Sequence, residues 1–372
     1  MKILLAMSGG IDSSVVAHML QEQGHEVIGV RFTLWTDPLA PALAQILPSK
    51  CCTTQNIARA HSVAKELSIP LHVIDLEREF KESVVDPYLE AHRQGLTPNP
   101  CIGCNRTIKF GKLLELMRTL GCDKLATGHY ARVASEKLSD GSERYLLLEA
   151  IDSEKDQSYY LYGLTQDQLK HVFFPLGGMK KSEVYTLALH FGVPLPSSYR
   201  ESQDLCFFPE KTPTEFLKRH LSGDLKPGNI VRRDGTVVGK HKGLPLYTYG
   251  QRRGLGIGGL TIPLEVIRKD VDRSELVVDD KGRSLTDSVT LTDVRFISEE
   301  SQVVENLVCS YRPRSLSPKK TGRLVRQGEQ YLFQFDSAVS PQSPGQSIVF
   351  YRGEEVLGGG VIEGDKALIQ ES

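Results

Sequence analysis

Ile3-Leu4-Leu5-Ala6-Met7-Ser8-Gly9-Gly10-Ile11-Asp12-Ser13-Ser14-Val15-Val16-Ala17 decides how this chain folds. Ile3 to Ala6 is a short, uninterrupted apolar run, the signature of a strand buried on both faces in a parallel sheet. Val15 to Leu20 reads as the opening of a helix. Between them lie Ser8, two glycines, Asp12 and Ser13. Glycines let the backbone approach an anion closely, amides point at it, and a helix N-terminus adds a favourable dipole. The segment therefore reads as a pyrophosphate cradle, with Asp12 as an acceptor that holds Mg²⁺ or orients the loop and Ser13 as a hydroxyl donor. No lysine follows the glycines, which separates it from the G-x-x-x-x-G-K-[ST] loop, and it does not fit G-x-G-x-x-G either.

Working outward, the same strand–helix alternation continues. Strands are predicted at Glu26–Phe32, Leu71–Leu76 and Lys124–Gly128. Helices are predicted at Ile57–Leu67, Phe110–Leu120 and Lys180–Phe191, the last closed by Gly192. This pattern predicts an α/β fold with a doubly wound parallel sheet, ligands lying beyond the C-terminal strand ends. S-G-G-x-D-S resembles the PP-loop signature of enzymes that split ATP into AMP and pyrophosphate. That resemblance implies ATP at Ala6, Met7, Ser8, Gly9, Gly10, Asp12, Ser13 and Ser14, with Phe32 and Gly128 alongside. After a helical stretch at Glu215–Leu221, short alternating runs separated by Gly and Pro predict a small β-rich module. More short runs between residues 288 and 362 predict a compact antiparallel barrel. The predicted division is 1–208, 209–284 and 285–372.

The bulk numbers narrow the function. The chain has 372 residues, a formal net charge of −1 and seven cysteines. A near-neutral molecule has no global field for nucleic acid, so any such binding must use local basic patches. No apolar run approaches the ~20 residues of a membrane span. The opening residues read as a strand rather than a signal peptide, and the cysteines form no small-domain disulfide framework. These features predict a cytoplasmic chain, and a monomer is the working expectation.

Three cysteines stand out. Asn99-Pro100-Cys101-Ile102-Gly103-Cys104-Asn105 carries a C-x-x-C, with Lys109 and Lys112 downstream, and Cys206 precedes Phe207-Phe208. By itself the C-x-x-C reads equally as a redox pair, half a zinc site or chance. The combination is more specific. Ser8 to Ser13, Thr97-Pro98-Asn99-Pro100 with Cys104-Asn105 and Ile108-Lys109-Phe110, Ala126-Thr127-Gly128-His129-Tyr130-Ala131, Lys155 to Leu161, Cys206-Phe207, Gly239 to Gly243, Tyr249 to Gly259, and Pro344-Gly345-Gln346-Ser347 with Leu357 to Gly360 occur in order. Together they resemble the bacterial and organellar tRNA-specific 2-thiouridylases, nearly end to end.

The resemblance implies replacement of the C2 oxygen of the wobble uridine by sulfur, in tRNAs for Lys, Glu and Gln. ATP adenylates the oxygen, and Cys206 carries sulfur as a persulfide delivered by a donor such as a cysteine desulfurase or sulfur relay. Cys104 assists, and a Cys104–Cys206 disulfide forms as AMP departs. The family often has D-x-x-C where this chain has Cys101-x-x-Cys104. Cys101, Cys104 and Cys206 are therefore also candidate ligands of a [4Fe–4S] cluster. A second departure is Asn56, where the family commonly has Asp.

The anticodon arm is expected against Asn99, Lys109, His129, the Asp156-Gln157-Ser158 motif, His241, Arg252, Arg253, Tyr311 and Arg312, where local positive charge would meet phosphate. Cys51, Cys52, Cys122 and Cys309 read as structural. Two other readings compete: an ATP pyrophosphatase acting on a small metabolite, and a tRNA-binding protein that only senses ATP.

Overall fold

The computed structural model describes residues 1–41, 54–194, 205–258, 262–298 and 305–363. The first part of the chain supplies strands β1 (Lys2–Ala6), β2 (Glu26–Thr33), β3 (Leu71–Asp75), β4 (Lys124–Ala126), β5 (Arg132–Lys137), β6 (Glu143–Leu148) and β7 (Val172–Phe173). Five of them form an all-parallel sheet in the order β3-β2-β1-β4-β7. The helices are α1 (Ile11–Glu22), α2 (Thr54–Glu66), α3 (residues 77–93), α4 (residues 100–119), α5 (Gln166–His171), α6 (Lys181–His190) and α7 (Thr214–His220).

The central strand shows why the sheet is wound on both faces. Ile3, Leu4 and Leu5 are completely buried. Successive strand residues point to opposite faces. Ile3 and Leu5 pack with Val15 and Val16 of α1, Val63 of α2 and Val184 of α6. Leu4 packs on the other face with Phe110, Leu113 and Leu114 of α4.

Two helices depart from the predicted boundaries. The helix predicted from Phe110 begins a full ten residues earlier, at Pro100. Asn99 caps it, its side-chain oxygen accepting from the Cys101 N–H at 3.3 Å, and Pro100 sits where its missing N–H costs nothing. Its middle, Asn105–Lys112, is wound as a π-helix, a form that concentrates at functional sites. Helix α3, which the sequence pattern does not predict, has the same construction, with a π-helical turn at Lys81–Val85.

The second unit is a four-stranded sheet of β8 (Gly228–Arg232), β9 (Val237–His241), β10 (Leu264–Asp270) and β11 (Glu275–Asp280), in the order β10-β11-β8-β9. The third comprises β12 (Thr286–Phe296), β13 (Asn306–Arg312), β14 (Lys320–Gln327), β15 (Gln330–Val339), β16 (Ser347–Arg352) and β17 (Glu355–Ile362). These run β12-β15-β14-β13-β16-β17, and β17 pairs back to β12, closing a six-stranded antiparallel barrel. Leu148 and Leu147 of β6 also pair with Glu355 and Val356 of β17, so the β5–β6 hairpin of the first unit extends the barrel's sheet.

Candidate active site

The loop between β1 and α1 lies at the C-terminal edge of the parallel sheet. Gly9 has a φ of +76°, and a Cβ there would come 1.8 Å from the Asn56 carbonyl oxygen. Only glycine fits both the conformation and the space. Helix α2 thus presses directly on the loop, and Arg59 braces it: Nη1 donates to the Gly9 carbonyl at 2.7 Å and to Asn56 Oδ1 at 3.1 Å. Asn56, assigned no role from sequence, is a wall of the loop. Ser13 and Ser14 hydroxyls both donate to the Gly10 carbonyl, at 3.1 and 3.0 Å. Gly10 is the N-cap of α1 and makes no side-chain cap bond, so the first helical amides face the loop uncapped by a side chain. Ala6 and Phe32 are half-buried at the strand ends, Met7 is buried and Ser8 is exposed.

Gly128 closes the cradle from β4. A Cβ there would stand 3.1 Å from Asp12 Cβ and 3.3 Å from the Ser13 nitrogen. Two residues missed by the sequence reading hold Asp12: the buried Lys181 at 2.6 Å and the Tyr130 hydroxyl at 3.0 Å, both on Oδ1. Lys181 also lies over the Tyr130 ring. Among the described residues no three or more His, Cys, Asp or Glu side chains gather as a metal site. A single carboxylate at Asp12 suits Mg²⁺ carried mainly by phosphate oxygens and water.

The cysteines form the second half of the site. Cys104 is buried in a cluster with Trp35, Phe80, Tyr88, Ile108 and Phe207, and Cys206 packs against the same cluster. Phe207 fixes that approach, its ring 5.3 Å from Tyr88 and 5.4 Å from Phe216. Cys101 is half-buried near Tyr88 and Tyr160; burial first, and then Cys101, pushes both phenols up. The five described cysteines are thiols, so the disulfide implied between Cys104 and Cys206 is not formed. Among the described residues, Cys101, Cys104 and Cys206 are not gathered around a single metal ion. Cys51, Cys52 and Gly259 lie outside the described residues.

His129 follows Gly128. Its Nδ1 pairs with Thr127 Oγ1 at 2.8 Å, and its ring packs on Phe110 and Phe174. Burial, and then nearby Lys109, drive its pKa well down, so the ring is neutral. Gln157 fastens Tyr130, with Oε1 accepting the Tyr130 N–H at 3.0 Å.

Five residues expected at the tRNA surface are internal. Asp156 and Ser158 are buried: Asp156 accepts from the Ala150 and Ser158 N–H groups, the Ser158 hydroxyl and Arg312. Arg312 is consumed between Asp156 at 3.0 Å and Glu149 at 2.9 Å, and Lys319 joins Glu149 at 2.5 Å. Tyr311 alternates inward in β13 and fills the barrel core beside Phe333. His241 is 1% exposed, with Nε2 on the Ser274 carbonyl and Nδ1 accepting from the Gly243 N–H. Arg252 and Arg253 are exposed, as are Arg314, Lys320 and Arg323.

A parallel α/β sheet with a glycine loop built for pyrophosphate, beside a pair of thiols and backed by two β modules, defines a PP-loop nucleotide-binding protein. Residues 1–210 match the family described as the tRNA methyl transferase HUP domain, 214–280 its PRC-barrel domain and 286–362 the aminomethyltransferase beta-barrel domain. The tRNA-specific 2-thiouridylase MnmA of Chloroflexus aurantiacus is 42% identical over 97% of this chain and 98% of the relative. That of Geobacter metallireducens is 41% identical over 97% and 96%, and that of Symbiobacterium thermophilum 39% over 97% and 92%. The chain belongs to the tRNA-specific 2-thiouridylase family. A 4-thiouridine synthetase solved with RNA and ATP matches 52% of this chain and 41% of its own at 19% identity and a TM-score of 0.31, from which nothing about this chain follows.

Proposed function

We propose that this chain uses ATP to thiolate C2 of the wobble uridine in tRNA. The observation that carries the reading is the gathering of Cys104 and Cys206, far apart in sequence, into one aromatic cluster behind the strand ends that bear the pyrophosphate loop. A uridine carbonyl oxygen is a poor leaving group, so it is first made a good one. The C2 oxygen attacks the α-phosphorus of ATP, and pyrophosphate departs into the loop formed by Ser8 to Ser13. Asp12 is the residue that would hold Mg²⁺, whose contribution when bound would be to neutralise phosphate charge. The outer sulfur of a persulfide on Cys206 then attacks C2, and AMP leaves with the oxygen. The Cys104 thiolate attacks Cys206 Sγ, which releases 2-thiouridine and leaves a Cys104–Cys206 disulfide. An external thiol must reduce that disulfide before the next turnover. The wobble base lies in a single-stranded loop and reaches a pocket at modest unstacking cost. Among the exposed cations, Arg252 and Arg253 are the ones offered to the tRNA backbone.

The test combines ATP, tRNA and a persulfide donor and follows pyrophosphate and 2-thiouridine. Pyrophosphate release that requires tRNA, with thiolation lost in Cys104→Ala and Cys206→Ala and retained in Cys101→Ala, supports the proposal. Pyrophosphate release without tRNA points instead to a small-metabolite substrate. Tight tRNA binding with no pyrophosphate leaves a sensor. Loss of thiolation in Cys101→Ala, together with stoichiometric iron, would point instead to a [4Fe–4S] cluster on Cys101, Cys104 and Cys206.

A further inference from the structure

Cys206 lies in a segment, residues 205–212, that forms neither helix nor strand. A sulfur carrier on irregular backbone needs an anchor, because in-line attack demands placement within a fraction of an ångström. The anchor lies beyond the end of β2. Asp37 has a side chain only 1% exposed. Its Oδ1 accepts from His220 Nε2 at 2.7 Å and from the Leu39 N–H at 2.9 Å. Its Oδ2 accepts from Arg219 Nη2 at 2.6 Å and Nε at 3.1 Å. Arg219 turns its remaining nitrogen, Nη1, to Glu210 at 2.5 Å, four residues after Cys206. Trp35 packs on the rings of Phe216 and His220, and Phe216 packs on Phe207 and Phe208.

The arrangement is a bridge with two ends. One is the catalytic edge of the parallel sheet, reached through β2. The other is the segment carrying Cys206, reached through α7 and Glu210. A guanidinium fork shared between two carboxylates fixes direction as well as distance. Asp37 sits inside the bridge rather than beside the substrate.

We propose that Asp37 is the positioning residue for Cys206, holding its sulfur at the activated uridine through Arg219 and Glu210. This rests on the reading of Cys206 as the sulfur carrier. The adenylation half of the reaction takes place at the β1–α1 loop and does not pass through the bridge, so the two half-reactions separate.

The experiment uses the full chain with tRNA, as wild type, Asp37→Asn, Asp37→Ala and Cys206→Ser. Asp37→Asn keeps the shape and an acceptor and guards against simple unfolding. Three quantities are followed: tRNA-dependent pyrophosphate release, single-turnover thiolation by persulfide-loaded protein, and the alkylation rate of Cys206 mapped by mass spectrometry. The expected result is thiolation slowed about 30- to 100-fold in Asp37→Ala and by roughly tenfold in Asp37→Asn. Pyrophosphate release stays within about threefold of wild type and Cys206 alkylation accelerates several-fold. Parallel loss of both half-reactions, or thiolation at the wild-type rate, overturns the proposal. If Cys206→Ser thiolates normally, the functional reading fails instead. Alkylation then decides the anchor alone: faster modification in Asp37→Asn upholds it, and an unchanged rate overturns it.

Discussion

Gly9 shows how much one residue can carry. Its positive φ and its 1.8 Å clearance to the Asn56 carbonyl mean that a methyl group must either unwind the turn or push α2 away. Both responses move the amides that face the anion. Gly9→Ala is expected to cut tRNA-dependent pyrophosphate release by about 100-fold, with thiolation falling in step, since strain of ~1–3 kcal/mol is relieved by displacing the loop. Steady-state pyrophosphate assays against ATP concentration check it, and an unchanged rate would remove the loop from the site. Arg252 and Arg253 belong to the opposite case, exposed charges that we propose act singly on the tRNA backbone. Replacing both with Ala should raise KM for tRNA about tenfold, leave kcat nearly unchanged and make the salt slope of binding shallower by about 1.5. At this scale the glycines and cysteines were legible because their chemistry is local and their motif contiguous. Arg59, Lys181 and Tyr130 were not, because each acts on the loop across a packing contact that no sequence spacing encodes. Tyr311 and His241 misled for the converse reason: an aromatic among basic residues, or a histidine inside a family motif, reads as an RNA contact until the strand's alternation turns it inward.

The elements pair across seams, and one seam carries unusual polar groups. His92, near the end of α3, and Lys269, in β10, are 4% and 6% exposed. His92 Nδ1 and Lys269 Nζ have no hydrogen-bond partner among the described residues. Burial pushes Lys269 down to about 7, and burial, followed by the Lys269 charge, pushes His92 down to about 3. The sign of the consequence is the same for both groups. The unfolded chain binds the proton more tightly, so folding releases protons and stability rises with pH wherever the two states differ. For Lys269 that window runs from about 7 up to its ordinary value of 10.5; for His92 it runs from about 3 up to 6.5. Lys269→Met removes a buried, unpaired amine and should stabilise the chain by roughly 2–4 kcal/mol at pH 7, with the gain shrinking as pH approaches 10. Urea unfolding at pH 7 and pH 9.5 measures it, and an equal gain at both values would show that the amine is not desolvated. Neither the seam nor α3 was read from sequence, since α3 is mostly polar on its outer face and its π-helical turn shifts the apolar spacing away from a simple helical period.

Across the whole molecule, the barrel and the nucleotide loop are joined by a continuous run of polar contacts. Lys319 and Arg312 of the barrel side grip Glu149, and Arg312 also grips Asp156. Gln157, next in the chain, receives the Tyr130 N–H and donates its own N–H to the Tyr130 carbonyl at 2.8 Å. The Tyr130 hydroxyl reaches Asp12 in the loop. The β5–β6 hairpin adds a second tie, with two residue pairs on β17. Buried ion pairs contribute little net stability while intact, but removing one partner strands the others in a low-dielectric interior at a cost of about 3–5 kcal/mol. The chain has a single tryptophan, Trp35, and it lies in the catalytic unit. Its fluorescence therefore reports that unit alone. Arg312→Ala changes only the barrel side, yet it should lower the unfolding free energy read by Trp35 by about 3 kcal/mol or more. Adding it to Asp156→Asn should cost at least ~1 kcal/mol less than the two changes separately, because they share one interaction. The same variant should slow pyrophosphate release through slackened support of Tyr130 and Asp12. Strict additivity, or a Trp35 transition that does not move, would mean that the barrel is carried by the catalytic unit without steadying it.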